Sequence, residues 1–140
     1  MGDNTMKIKA LIRFLVVWII LVRKISAASS SPGYEVEIFD GLLSDSPPLT
    51  FRCASGAADI GNHTLKAYQY YKWSAIHENV EGKTSFFCNF EWGGKHQAFV
   101  VFESTRLEEC SGGLCFWLAQ SDGFYFRNHQ RKFDKKYDWY

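Results

Sequence analysis

No apolar run in this chain of 140 residues is long enough to cross a membrane as a helix. The strongest candidate, Phe14 to Val22, has nine residues. They would span roughly 14 Å at ~1.5 Å per residue, against a hydrocarbon core of about 30 Å. Metal-binding spacings are missing as well, because His63, His77, His96 and His129 form neither H-x-H nor H-E-x-x-H. There is no G-x-S-x-G elbow, so Ser55 and Ser111, each followed by glycine, read as turn residues rather than nucleophiles. The His-Gly-Leu-Trp-Pro-like stretch of a secreted ribonuclease is absent. The carboxylate pairs Glu35/Glu37 and Glu108/Glu109 read as solvated faces rather than a glycosidase dyad. No internal repeat and no long capped helix is visible. These absences leave no catalytic residue, metal ligand or cofactor site to nominate, and predict a chain that is not an enzyme.

The N-terminus predicts export. Lys7, Lys9 and Arg13 form a basic lead-in to the apolar run, and Ser26 and Ala28 are placed for cleavage after Ala28. Arg23 and Lys24, between the run and that point, are atypical of such signals. Residues 1–28 are therefore expected to be a cleaved signal peptide, leaving 29–140 as one secreted, extracellular domain with no stable membrane insertion. Five of the 16 Lys and Arg and one of the 15 Asp and Glu lie in the signal, so the remainder carries 11 against 14, a net −3. That balance argues against nucleic acid as a partner. All four cysteines, Cys53, Cys88, Cys110 and Cys115, remain after processing. In an exported chain they read as two disulfides rather than as zinc ligands or nucleophiles.

Alternation of apolar and polar residues marks short strands. Tyr34 to Phe39 turns Tyr34, Val36 and Ile38 to one side; Leu49 to Cys53 does the same with Leu49, Phe51 and Cys53. Thr84 to Trp92 aligns Phe86, Cys88, Phe90 and Trp92, and Gly93-Gly94 returns the chain into His96 to Glu103. Gly41–Pro48, with consecutive prolines, is expected to be a loop, as are the polar stretch Ala54–Thr64 and the connections His77–Lys83 and Glu103–Glu109. Leu65 to Ile76 fits neither period cleanly, and its Tyr and Trp content favours strand. Asp122-Gly123 between apolar runs predicts a hairpin with those two residues at the turn, pairing 119 with 126. Cys115, Trp117, Ala119, Phe124 and Phe126 would share one face, and Phe116, Leu118, Gln120, Tyr125 and Arg127 the other.

Seven or eight short strands with inward aromatics predict an all-β fold, a small disulfide-stapled antiparallel β-sandwich. Four cysteines allow three pairings. Cys53, Cys88 and Cys115 lie on inner strand faces, and Cys53–Cys115 with Cys88–Cys110 is favoured. Asn62-His63-Thr64 is a glycosylation sequon at Asn62. The cluster Arg127, Arg131, Lys132, Lys135 and Lys136 is interleaved with Asp134 and Asp138, and reads as a charged terminal strand edge rather than an anion site.

In order and spacing the mature chain resembles the plant self-incompatibility S-protein family, the S-protein homologues. The resemblance runs through Tyr34-Glu-Val-Glu-Ile38, Leu49-Thr-Phe-Arg-Cys53, Asp59-Ile60-Gly61 with His63 and Leu65, and Phe86-Phe87-Cys88. It continues through Cys110, Cys115-Phe116-Trp117 and Asp122-Gly123-Phe124-Tyr125. Arg52 stands where the family often has histidine, and Asp40 where asparagine commonly ends the first strand. The resemblance implies a disulfide-bonded β-sandwich without enzymatic activity, secreted as a ligand. In some plants pistil-expressed members signal to incompatible pollen through a pollen-surface receptor, while most homologues have no assigned role. The expectation for this chain is a monomer that binds a cell-surface receptor protein, with loops as contact regions. A different class, a secreted carbohydrate-binding or defence protein, would need Trp73, Trp92 or Trp139 exposed for sugar stacking.

Overall fold

The computed structural model describes Arg13 and residues 33–76 and 82–140. Apart from Arg13, the expected signal over 1–28 lies outside those residues, as does most of the expected loop His77–Lys83. Nine strands occur among the described residues. They are β1 (Glu35–Asp40), β2 (Leu49–Ala54), β3 (Asp59–Leu65), β4 (Tyr70–Ser74), β5 (Ser85–Trp92), β6 (Lys95–Glu103), β7 (Leu114–Gln120), β8 (Gly123–Arg127) and β9 (Phe133–Tyr137). A 3₁₀ segment, Ser104–Glu109, joins β6 to β7. One sheet has the order β4-β1-β7-β8-β9 and the other β3-β2-β5-β6. Every neighbouring pair is antiparallel except β1 and β7, which run parallel.

Period-two alternation decides what turns inward. β2 buries Leu49, Phe51 and Cys53, β5 buries Phe86, Cys88 and Phe90, and β7 buries Cys115, Trp117 and Ala119. Aromatic rings then interlock between the sheets. Phe99 of β6 meets Trp117 at 4.8 Å, Phe124 at 5.0 Å and Tyr137 at 4.1 Å between centroids. Phe90 meets Phe124 at 4.7 Å, and Trp73 meets Phe86 edge-on at 5.7 Å. The indole N–H of Trp117 donates to the Val101 carbonyl at 2.8 Å, so its polar atom is satisfied inside the core. Each fully buried ring of this kind contributes about 1.5–3 kcal/mol over its exposed state.

The all-β sandwich is as expected, and four details differ. The polar stretch Ala54–Thr64 is mostly strand: β3 lies at a sheet edge, where the β2 backbone supplies its bonds and apolar side chains are not required. One of the seven strand pairings is parallel, which short-range alternation does not reveal. The β7–β8 turn is centred on Ser121 and Asp122, with Gln120 opposite Gly123 and Ala119 opposite Phe124. Neither turn residue has positive φ, so the type I′ expectation fails. Gly123 instead starts β8 at φ 145°, where a Cβ would collide with the Tyr137 carbonyl. The register moves by two residues, which preserves parity, so the expected inward face is the observed one.

The disulfides are Cys53–Cys88 and Cys110–Cys115, not the expected Cys53–Cys115 and Cys88–Cys110. Cys53 and Cys88 stand directly opposite in the β2–β5 ladder, with Cα atoms 4.1 Å apart. Cys115 also points inward, but from the other sheet. A turn brings Cys110 back to it: Ser111 and Leu114 exchange backbone bonds of 3.1 and 3.0 Å, and Gly112 and Gly113 take positive φ between them. Neither bridge ties a strand of one sheet to a strand of the other, and side-chain packing joins the two sheets.

Candidate functional site

The same alternation that fills the core decides what the five-stranded sheet shows on its outer face. That face is not simply polar. Ladder pairing lines up one row as Tyr70 on β4, Phe39 on β1, Leu118 on β7, Tyr125 on β8 and Lys135 on β9. A second row begins with Lys72, Glu37 and Phe116 and ends with Arg127 opposite Phe133. The Phe116 ring lies 6.1 Å from Phe39 and 5.8 Å from Phe133, and the Arg127 guanidinium sits over it at 5.0 Å. Tyr70 is 59 % and Phe133 46 % exposed, while Phe39, Phe116, Leu118 and Tyr125 are half-buried by one another.

Charges frame this apolar patch. Lys72 pairs with Glu35 at 3.3 Å. Burial raises the Glu37 carboxyl above its usual range, with Lys72 and Arg127 opposing that shift and Glu35 adding to it. Arg127 Nε is buried without a hydrogen-bond partner. The Tyr125 hydroxyl donates to Asp122 Oδ2 at 2.6 Å, which fixes the ring over the patch and raises the phenol pKa. A contiguous apolar surface rimmed by charges on rigid strands is what protein contact sites look like. The signal for it was present in the alternation of Phe116, Leu118 and Tyr125.

The other candidate residues take structural places. Asn62 is exposed on β3, opposite Arg52. Arg52 pairs with Asp59 at 2.8 Å, and Asp59 also accepts the Gly61 N–H at 2.8 Å. His63 stacks on Tyr71 at 3.7 Å between centroids, with one ring nitrogen 2.8 Å from the Ile60 carbonyl. The Asp-Ile-Gly segment therefore fastens an edge strand. Asp40 is 1 % exposed; its Oδ1 accepts the Leu42 N–H at 2.9 Å and its Oδ2 has no hydrogen bond. Burial raises its pKa, against the pull of the Leu42 and Leu49 N–H groups.

Trp73 is core, and Trp92 and Trp139 pack on each other at 5.6 Å, with the Trp139 N–H on the Gln120 carbonyl at 2.7 Å. Trp92 and Trp139 are half-buried, and each has the other's ring against it. The basic cluster is spread over β8, the following turn and the exposed β9, with Lys135 paired to Asp138 at 2.7 Å. Of the expected contact loops, Gly41–Pro48 leaves the sheet end where β1 finishes. The 54–58 turn and the 3₁₀ segment lie at the opposite end, near Thr84, whose N–H and carbonyl both bond Ser104 at 2.9 Å. The loops thus do not form one site. Among the described residues no group of three His, Cys, Asp or Glu is placed to hold a metal, and no helix is long and apolar enough to cross a membrane.

Residues 35–139 match the family model for plant self-incompatibility protein S1. S-protein homolog 8 of Arabidopsis thaliana is 30 % identical over 129 residues, covering 87 % of this chain and 96 % of that protein. S-protein homolog 2 of the same plant is 27 % identical over 96 residues, 65 % of this chain and 59 % of its own length. S-protein homolog 5, also from that plant, is 31 % identical over 77 residues, 55 % of this chain and 59 % of its own length. No solved structure matches the chain.

Proposed function

The chain belongs to the plant self-incompatibility protein S1 family, and on that premise we propose that it is a secreted, non-enzymatic ligand that binds a cell-surface receptor in cell–cell signalling. The observation that supports this reading is the charge-rimmed aromatic face of the five-stranded sheet, with Phe39, Phe116, Leu118, Tyr125 and Phe133 in contact rows. A binding surface on strands loses little conformational entropy on docking, which favours affinity without a deep pocket. Export is supported by the basic and apolar N-terminal pattern and by paired cysteines. Asn62 carries a glycan on the opposite sheet, clear of this face. Pollen–pistil recognition is one setting for such a ligand.

The test is saturable binding of labelled, disulfide-intact protein to plant cell surfaces. The double substitution Phe116→Ser with Phe133→Ser is expected to weaken binding at least tenfold while the far-UV spectrum stays unchanged. Absence of saturable binding in every tissue tried would refute the ligand reading. Wild-type binding by the double variant would refute this face as the contact surface.

A further inference from the structure

The four-stranded sheet ends in β6, and only the first half of that edge is covered. His96 donates its N–H to Tyr140 O at 2.9 Å and accepts the Tyr140 N–H at 3.0 Å, an antiparallel bridge made by the C-terminal residue. Gln97 Nε2 adds a bond to the Asp138 carbonyl at 2.8 Å. These bonds fix which way the backbone faces. The N–H and C=O of His96 point away from β5, so by two-residue alternation those of Ala98 and Val100 do too. Gln97 Oε1 covers the Ala98 N–H at 2.8 Å. Beyond it, the outward groups of Val100 meet no strand, since β6 has β5 as its sole neighbour in the sheet.

Alongside this open stretch, a cleft of about 560 Å³ separates β6 from β9. Phe99, Val101 and Trp117, all buried, line it. Lys136 and Glu109 are exposed at its rim, and neither is in an ion pair among the described residues. We propose that this edge and cleft form a second binding site, which takes an extended peptide segment of a partner protein as an added strand beside Val100. The segment continues the ladder that Tyr140 begins. It places apolar side chains at alternate positions over Phe99, Val101 and Trp117, with an acidic residue toward Lys136 and a basic one toward Glu109.

The chemistry selects a polypeptide, because the outward N–H and C=O of Val100, on the same edge as the pair Tyr140 fills at His96, are matched by another extended backbone. A second copy of this chain, pairing β6 with β6 about Val100 so that Gln97 faces Glu103, is the competing occupant that the test below separates. The site is separate from the aromatic sheet face and stands or falls without it.

Panning a displayed library of random heptapeptides against the intact, disulfide-bonded protein tests the proposal. Enrichment of sequences with alternating apolar residues is expected, and a synthetic peptide of the enriched sequence should slow exchange of the Val100 amide at least tenfold. Val100→Pro should abolish that binding; its lost N–H is not one that β5 uses, so the sheet keeps its ladder. Lys136→Glu, on an exposed side chain, should weaken binding of peptides with an acidic residue at least fivefold and is the arm that survives if the proline variant fails to fold. No enrichment, equal binding by Lys136→Glu, or protection at another sheet edge would overturn it. Concentration-dependent protection of Val100 without peptide would overturn it in favour of a second copy.

Discussion

Replacing Cys53 and Cys88 together by alanine should cost far more stability than replacing Cys110 and Cys115 together. The bridge Cys53–Cys88 joins residues 35 apart, whereas Cys110–Cys115 joins residues 5 apart. In the chain-entropy model the first constrains the unfolded chain by roughly 4 kcal/mol and the second by roughly 2 kcal/mol. The difference of about 2 kcal/mol corresponds to about 1 M in the urea midpoint for a domain whose m-value is about 2 kcal/mol/M. Intrinsic tryptophan fluorescence follows the transition, since Trp73 and Trp117 are buried in the core. Free-thiol titration of the unfolded variants adds a second readout. With the pairing seen here, each double variant loses one bridge and shows no free thiol. With bridges from Cys53 to Cys115 and from Cys88 to Cys110, either double variant would break both bridges. Two free thiols, or equal losses from the two variants, would therefore refute this pairing and the reasoning built on it.

Other consequences can be checked more briefly. Asp40 has a folded pKa raised by burial, so the native state holds its proton where the unfolded chain has released it. Stability should thus fall as pH rises from the unfolded value near 3.9 through the raised folded one, and Asp40→Asn should flatten that slope in urea titrations across pH. Phe99→Ala empties the meeting point of Phe90, Trp117, Phe124 and Tyr137 and should cost about 3–5 kcal/mol by thermal or urea unfolding. Trp117→Phe keeps the ring but strands the Val101 carbonyl, with an expected loss of about 1–3 kcal/mol. Protein secreted from plant cells should drop in mass on treatment with peptide N-glycosidase, and Asn62→Gln should abolish the drop.

Inward faces were legible because period-two alternation is dictated by the backbone. Of the residues expected inward from Val36 to Phe126, all but the half-buried Trp92 are buried, and even a misplaced turn left their parity intact. What depends on partners distant in the chain was not legible. Nothing local in Asp59–Leu65 distinguishes an edge strand from a polar loop, since its bonds come from β2. Disulfide choice followed the same logic: three cysteines point inward, and only the β2–β5 register shows which two face each other. The aromatic outer face lay in plain view in Phe116, Leu118 and Tyr125, but its neighbours Phe39 and Phe133 arrive from strands at opposite ends of the chain.

The parallel contact of β1 with β7 also bears on how the chain acquires its structure over time. Glu35 lies beside Leu114, so one flank of β1 stays vacant until the last third of the polypeptide is present. The four-stranded sheet has no such dependence: β2, β3, β5 and β6 are contiguous but for β4, and Cys53 can find Cys88 as soon as β5 follows. Closing a long loop before contacts reward it slows folding, and all-β proteins of this kind fold in milliseconds to seconds. A chain threaded into an oxidising compartment from its N-terminus would complete its small sheet and first bridge while β1 still waits. In refolding, amides of β5 and β6 should become protected before those of β1.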